Sequence, residues 1–278
     1  MDIPNRYYKT NGYIPGWKQF HTATSFAKFC YFIGLFIGDG FVNINKNSYD
    51  IYLSIGKDEY EFASFYDDLI QELFDRKTIH VHKTRENTRR FTHKKLAIWL
   101  NETFGKTAYK KRIPEWFKNL HEDYKLAFIQ GYLDSDGSVF YDRGKVRVNF
   151  TSVNLELLED IQDILFGLQI RNSIVVHQKP TKNSLLSYRI NIARCDNLKL
   201  ASTPIYESRK QKVLKLSIPT DSSKSKIQFD GNRVYIKIES IEESLYTGTV
   251  YNFECDTHTY MCRNILTHNC DPLTNQRV

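Results

Sequence analysis

Apolar residues follow two periods along the chain, and these periods recur in the same order in its two halves. Spacings of three and four residues at 59–74, 94–104 and 154–168 predict amphipathic helices. Other segments alternate apolar and polar residues, which predicts half-buried strands. Each half thus reads α-β-β-α-β-β-α, and segment 105–125 joins the halves. Strands are predicted at 41–47, 49–56, 78–84, 88–93, 137–143, 145–152, 171–179 and 186–193, and a shorter helix near 195–201.

A motif heads each half. FIGLFIGDG at 32–40 and IQGYLDSDG at 129–137 share apolar and small residues and close with Asp-Gly. One copy alone would fit an ordinary amphipathic helix that ends in a turn. Two copies, each followed by the same order of elements, favour an internal repeat.

Small residues lie four apart in each motif. Gly34 and Gly38 fall on one helix face in the first copy, as do Gly131 and Ser135 in the second. Such faces allow two helix backbones to approach closely. We therefore expect the two motif helices to pack together, with their closing aspartates side by side.

Those aspartates, Asp39 and Asp136, are the candidate catalytic and metal-binding residues. Two carboxylates that meet at a pseudo-twofold axis form a site for a hard divalent cation. Metal ions between carboxylates can stabilise negative charge and activate water, which phosphodiester hydrolysis requires.

The repeat resembles a LAGLIDADG homing endonuclease of the single-chain, two-repeat type, over about residues 26–216. This resemblance implies an α+β fold with pseudo-symmetric αββαββα repeats at about 26–104 and 122–216, each with a DNA-binding β-saddle. It implies Mg²⁺-dependent double-strand cleavage, with Asp39 and Asp136 binding metal. A family pattern of one basic residue near the strand-to-helix junction of each half implies catalytic roles for Lys94, or its neighbour Lys95, and for Arg194.

The net charge of +7 favours a polyanionic partner, most simply double-stranded DNA. Segment 76–95 carries eight Lys and Arg residues against one acid. A solvated charged face would also explain such a run, but long basic side chains on strands can reach phosphates and base edges. Because the halves differ in sequence, we expect a long, asymmetric target bound by a monomer. The candidate DNA-binding residues are Lys83, Arg85, Arg89, Arg90, Arg143, Lys145, Arg147, Lys179, Lys182 and Arg189.

The C-terminal region reads differently. After a polar linker at 217–229, the stretches VYNFECDTHTY and NILTHNC resemble the C-terminal splicing region of an intein, over 230–269. Asn can attack its own carbonyl and cleave the chain, a neighbouring His can assist, and Cys can accept an acyl group. The splicing residues are then His268, Asn269 and Cys270, with His258 as a second helper. A small all-β (Hint-type) segment and a host sequence at 270–278 are implied.

An intein of this family begins with a Cys or Ser nucleophile ahead of the endonuclease, whereas this sequence starts MDIPN. We therefore expect either a separately encoded N-terminal intein half or a truncated, degenerate intein. Residues 1–25 are interpreted as an extension. The alternatives to an active nuclease are a DNA-binding protein that has lost cleavage and a splicing-only relic.

No apolar run is long enough for a membrane span, and the N-terminus lacks a signal core. The five cysteines are odd in number and contain no CxxC pair. These features predict a cytoplasmic protein without a membrane partner.

Overall fold

The computed structural model describes residues 22–83, 86–182, 184–222, 225–231, 233–238, 240, 242–245, 247–249, 259–262 and 265–268, without the side chains of 82, 83, 86, 259–262 and 265–268. The division between two compact units falls after Ile236. No helix of the described ranges has the length and apolar character that crossing a bilayer requires.

The first repeat follows the predicted order of elements. Helix α1 starts where the Thr22 side chain accepts a hydrogen bond from the Ser25 amide at 3.1 Å, and α3 starts where His93 Nδ1 accepts from the Leu96 amide at 3.2 Å. The elements are α1 (Ala23–Asp39), β1 (Gly40–Ile44), β2 (Tyr49–Leu53), α2 (Tyr60–Phe74), β3 (Ile79–Lys83), β4 (Glu86–Thr92) and α3 (Lys94–Phe104).

The second repeat has the same order and adds a helix at its end. Asn154 caps its middle helix by accepting from the Leu157 amide at 3.1 Å. After the short linker helix α4 (Glu115–Lys118), the elements are α5 (Glu122–Asp136), β5 (Gly137–Asp142), β6 (Lys145–Ser152), α6 (Leu155–Gly167), β7 (Asn172–Gln178), β8 (Ser187–Ile192), a 3-10 turn (Arg194–Asp196), α7 (Asn197–Leu200) and α8 (Arg209–Leu214).

Both sheets have four antiparallel strands in equivalent orders, β1-β2-β4-β3 and β5-β6-β8-β7. Alternate residues of each strand enter the core, such as Ile51 and Phe91 in the first sheet and Val148 and Phe150 in the second. The helices cover this inner face. The opposite face of each sheet carries the other residues of the alternation. The mixed α+β repeat fold is therefore confirmed.

The motif helices α1 and α5 pack as the small residues predict. A Cβ atom added at Gly34 would lie 2.1 Å from the Phe128 carbonyl oxygen, and one at Gly131 would lie 2.1 Å from the Tyr31 carbonyl oxygen. Both distances are impossible contacts, so glycine is required at both positions. The two contacts are related by the repeat, which shows that the helices meet around a pseudo-twofold axis.

Some boundaries differ from the sequence-based prediction. Helix α1 begins inside the predicted extension 1–25. Helix α8 and strand β9 (Ile227–Asp230) were not predicted. Strand β9 forms a hairpin with β10 (Arg233–Ile236), which lies in the segment 230–269 that was expected to be all-β. The hairpin turns at Gly231, which has a φ of +54° and follows Asp230, a turn signal that the sequence contains.

This hairpin packs on the second repeat. The Arg171 Nε donates to the Ile227 carbonyl oxygen at 3.0 Å, and its guanidinium lies 5.1 Å from the centroid of the Phe229 ring. Strand β9 therefore begins inside the predicted linker 217–229, and residues 227–236 belong to the first unit. In the second unit, β11 (Thr259–Cys262) pairs with β12 (Ile265–His268) as an antiparallel hairpin.

Candidate functional site

Asp39 and Asp136 end the two packed motif helices. A Cβ at Gly38 would lie 3.1 Å from the Asp136 Cβ, so the helix ends are in close contact. Partial burial and then repulsion from Asp136 raise the pKa of Asp39 to about 6, although Lys210 and Lys111 act to lower it. Burial also raises the pKa of Asp136, against the opposing effect of the same two lysines. The aspartates thus share one electrostatic site.

Lys111 caps the end of α1. Its ammonium donates to the carbonyl oxygens of Phe36, Ile37 and Gly40, each at 2.8 Å. The side chain is almost fully buried, and burial lowers its pKa to about 8 although Asp136 and Asp39 raise it. A cation at a helix C-terminus satisfies carbonyls that have no partner within the helix. Lys111 does so directly beside the carboxylates.

Lys210, on α8, makes the equivalent contact with α5. Its ammonium donates to the carbonyl oxygens of Leu133, Asp134 and Ser135 at 2.8–2.9 Å. Burial lowers its pKa, while Asp134 and Asp39 are among the groups that raise it. Each aspartate therefore has a lysine at its helix end, and the two lysines follow the last predicted helix of their repeats.

Sequence reasoning missed both lysines and selected Lys94 and Arg194. The ammonium of Lys94 lies 5.0 Å from the centroid of the Tyr49 ring, at the start of α3. Arg194 begins the 3-10 turn. The structure gives neither residue a contact with the aspartates in the part of the chain that it describes. The missed signal was a lysine shortly after the last helix of each repeat.

The residues at the helix ends fit a hard divalent cation. Two carboxylates with raised pKa values repel each other, and a cation between them relieves that repulsion. The described residues contain no cluster of three or more His, Cys, Asp or Glu side chains that could hold a metal. Two protein carboxylates suit Mg²⁺, which is usually bound by one or two carboxylates plus water and substrate phosphates.

The outer face of the second sheet carries a row of polar residues together with the exposed apolar residues Phe140 and Val175. In register across all four strands, Ser138 lies opposite Asn149, Asn149 opposite Asn191, and Asn191 opposite Ser173. Residues paired in this way share a face. Arg189 lies beside this row, where its Nη2 is 2.8 Å from His177 Nε2 and its Nε donates to Thr151 at 3.3 Å.

The outer face of the first sheet carries stacked aromatic rings and charged residues. Phe41 stacks on Tyr52 with ring centroids 4.5 Å apart, and Tyr52 lies opposite Arg90. Arg90 also approaches Asp50 at 3.8 Å, while Thr92 donates to Asp50 at 2.6 Å. The two outer faces therefore present different chemistry.

Arg89, a candidate DNA-binding residue, does not lie on that face. Its Nε donates to Asp67 on α2 at 3.0 Å. Arg89 neighbours Arg90 in the strand and so points to the opposite side. It holds the sheet to the helix.

The other basic candidates are placed as follows. Arg143, Lys145, Arg147, Lys179 and Lys182 are exposed on the strands and connections of the second repeat. Arg147 lies 3.9 Å from Asp142. The side chain of Lys83 and the whole of Arg85 lie outside the described residues, as do His258, Asn269, Cys270 and the side chain of His268.

Among known proteins, the chain is similar to segments of much longer ones. It is 29% identical over 249 residues to a DNA polymerase of Thermococcus hydrothermalis, a match that covers 86% of this chain and 15% of the polymerase. It is 26% identical over 247 residues to the ATP-dependent DNA helicase Hel308 of Thermococcus kodakarensis, covering 85% of this chain and 21% of the helicase. The chain thus spans a small part of either relative.

A family model and a solved structure match this chain's fold. Residues 123–202 match the family model of the LAGLIDADG-like domain. The structure of I-DmoI in complex with DNA and Ca is similar with a TM-score of 0.52 and 21% identity, covering 70% of this chain and 99% of I-DmoI. The chain therefore contains a LAGLIDADG-like domain with the mixed α+β fold of I-DmoI.

Proposed function

We propose that residues 22–236 form a site-specific endonuclease that cuts both strands of a DNA duplex. The observation that carries this proposal is the meeting of Asp39 and Asp136 at the ends of two packed helices, each with a lysine at its helix end. The outer faces of both sheets carry basic side chains beside this centre, as a duplex-binding surface requires: Arg90 on the first, and Arg147 and Arg189 on the second.

Each group has a defined role in this proposal. Asp39 and Asp136 hold the divalent cation. A bound Mg²⁺ would stabilise charge on the scissile phosphate and favour ionisation of water. Lys111 and Lys210 place positive charge beside the carboxylates, where the phosphate must approach, and favour the negative transition state. Arg90, and the basic residues Arg147 and Arg189, bind and orient the duplex.

The similarity to the polymerase and the helicase supports a segment that is inserted into different host proteins. It does not support the activity of either host protein for this chain. The same stretch aligns with a part of a DNA polymerase and with a part of a DNA helicase, two proteins of different activity. A segment shared in this way is consistent with an endonuclease carried inside other proteins. The different outer faces of the two sheets support an asymmetric target.

The test begins with a random-sequence duplex library, from which bound and cleaved molecules are selected in Mg²⁺ and in EDTA. We expect Mg²⁺-dependent double-strand breaks within one long, asymmetric consensus. The matched control is Asp68→Asn, which changes an exposed carboxylate on α2. Recovery of duplexes that the protein binds but never cuts would favour the DNA-binding alternative without cleavage.

We further propose that residues 230–269 contribute protein-splicing chemistry, with an N-terminal intein half as the partner. The support is the residue order His268-Asn269-Cys270 and the chemistry that it permits. After addition of an N-terminal intein half, mass spectrometry should find ligation at Cys270 and a product that ends at Asn269. Asn269→Ala should prevent tail release, whereas Cys270→Ala should prevent ligation and still permit cleavage after Asn269. Absence of every product joined or starting at Cys270 would leave the nuclease as the only activity.

A further inference from the structure

A buried hydrogen-bond cluster lies next to the carboxylate pair but outside it. Asp134, on α5, is 8% exposed. Its Oδ2 accepts a hydrogen bond from the Tyr31 hydroxyl at 2.8 Å, and its Oδ1 accepts one from the Ser208 hydroxyl. A buried carboxylate is costly unless such donors satisfy it. The cluster therefore has to be complete to be stable.

The cluster joins three separate elements. Tyr31 lies on α1 of the first repeat, Asp134 on α5 of the second, and Ser208 at the start of α8. The Ser208 oxygen also accepts from the Gln211 amide at 3.1 Å, which caps α8. Asp134 thus fixes the first turn of the helix that carries Lys210.

The first motif has no such group. The residue at the position of Asp134 in FIGLFIGDG is Ile37, which is buried in the core. A carboxylate is therefore not needed for two motif helices to pack. Its presence in the second copy coincides with a lysine on a short helix, a helix too short to be stable without tertiary contacts.

We propose that Asp134 is a positioning residue for Lys210. By holding Ser208, it sets the start of α8 so that the Lys210 ammonium reaches the carbonyl oxygens of Leu133, Asp134 and Ser135. The Tyr31 hydroxyl ties this arrangement to the first repeat, so that the helix pair and the lysine are set together. The catalytic consequence of this role rests on the proposed nuclease function, in which Lys210 places positive charge beside Asp136.

The first experiment needs neither DNA nor metal. Individual lysines of the full chain are acetylated with an N-hydroxysuccinimide ester, and each rate is measured by mass spectrometry. In the unmodified sequence, Lys111 and Lys210 should react about tenfold more slowly than exposed Lys212 of the same helix, because reaction requires local opening. Asp134→Ile installs the residue of the first motif, and Ser208→Ala removes the other partner. Both should raise the Lys210 rate several-fold and leave the Lys111 rate unchanged.

Two further variants complete the set. Tyr31→Phe should raise the Lys210 rate less, because Ser208 keeps its bond to Asp134. Tyr132→Phe is the matched control, since its hydroxyl is buried without a hydrogen-bond partner among the described residues. It should change neither rate. If Asp134→Ile does not fold, Ser208→Ala and Tyr31→Phe decide the result. The proposal is overturned if these variants raise the acetylation rates of Lys111 and Lys210 equally, or if they raise neither rate.

The second experiment measures strand cutting on a duplex recovered by selection, with each strand labelled separately. Asp134→Ile should slow the cleavage of one strand about tenfold or more and so accumulate nicked duplex. Equal slowing of both strands, or no slowing, contradicts the positioning role in catalysis. If the unmodified sequence cuts neither strand, the nuclease proposal fails, and the acetylation rates still decide whether Asp134 positions Lys210.

Discussion

The two halves of the carboxylate site place similar lysines in different ways. Lys111 lies on the segment that joins the repeats, and the second repeat holds it there. Asn154 donates to the Lys111 carbonyl oxygen at 2.8 Å, and Asp160 accepts from the Ile113 amide at 2.9 Å. Asp160 also pairs with Arg112 at 2.7 Å. The linker is therefore fixed by residues that lie far along the chain.

Lys210 lies on a helix that follows its own repeat. The cluster of Tyr31, Asp134 and Ser208 holds it, and one of those residues belongs to the first repeat. Each lysine thus depends on at least one residue from the opposite half. A lysine at the helix end thus recurs in both halves, whereas the contacts that hold it differ between them. Each half of the site therefore includes a contact from the other repeat.

The carboxylates should give the largest effect. Asp39→Asn and Asp136→Asn should each reduce double-strand cleavage by about 10³-fold or more, because each removes half of the charge that holds the cation. Binding of the selected duplex should remain within about tenfold. The measurement is a plasmid cleavage time course in Mg²⁺, with Asp68→Asn as the control. Linear product at the original rate from either variant would show that the carboxylates are not equivalent partners.

Substitution of the two lysines should have the second-largest effect on cleavage. Lys111→Met and Lys210→Met should each slow cleavage by about 10²-fold through loss of charge at the reacting phosphate. Lys111→Met should also lower the free energy of unfolding more, by about 1–3 kcal/mol, because it leaves buried carbonyl groups unsatisfied. Strand-resolved cleavage and urea unfolding measure the two effects.

The variant Lys94→Met distinguishes between the two candidates for the catalytic basic residue of the first repeat. The sequence selects Lys94, and the structure places Lys111 beside the carboxylates. On the structural assignment it should slow cleavage far less than Lys111→Met. A larger loss from Lys94→Met than from Lys111→Met would restore the sequence-based choice and remove the lysine comparison.

The sequence pattern predicted the two motif helices and their closing aspartates. It did not reveal the lysines beside the aspartates or the residues that hold those lysines. Glycine at 34 and 131 is dictated by close helix packing, so the pattern of small residues revealed both the helix pair and the aspartates. Lys111 and Lys210 lie in segments without a helical or strand period, and contacts with residues far away in the sequence define their positions. Asp134 also could not be recognised, because its partners Tyr31 and Ser208 are far from it in the sequence.

Strand alternation identified the sheets but not always the side of a side chain. Arg89 and Arg90 are adjacent and chemically identical, and register alone places one against α2 and the other on the outer face. On the side of α2, Arg89 forms an ion pair with Asp67 at 3.0 Å. Composition therefore predicted a basic strand correctly without showing which arginine faces outward.

The pH dependence of stability should expose the carboxylate repulsion. The pKa of Asp39 rises from 3.8 unfolded to about 6 folded, so its contribution to stability is full below about pH 4 and is lost as the pH rises through 6. Without metal, Asp39→Asn should therefore exceed the unmodified sequence in unfolding free energy by about 1–3 kcal/mol at pH 8. The difference should shrink towards zero near pH 4. Urea unfolding in EDTA at several pH values measures this, and a difference independent of pH would contradict it.

The smallest expected effect contrasts two arginines in equivalent third strands of the two sheets. Arg189→Ala should reduce the slope of log affinity against log salt by about 1, because Arg189 lies on the outer face and can neutralise a phosphate. Arg89→Ala should leave that slope unchanged and instead lower the free energy of unfolding by about 1–3 kcal/mol, because it deprives Asp67 of its ion-pair partner. Binding titrations at several salt concentrations, together with urea unfolding, distinguish the two. If Arg89→Ala changes the salt slope as much as Arg189→Ala, then the strand face does not decide which arginine meets DNA, and the difference between the sheets is one of composition alone.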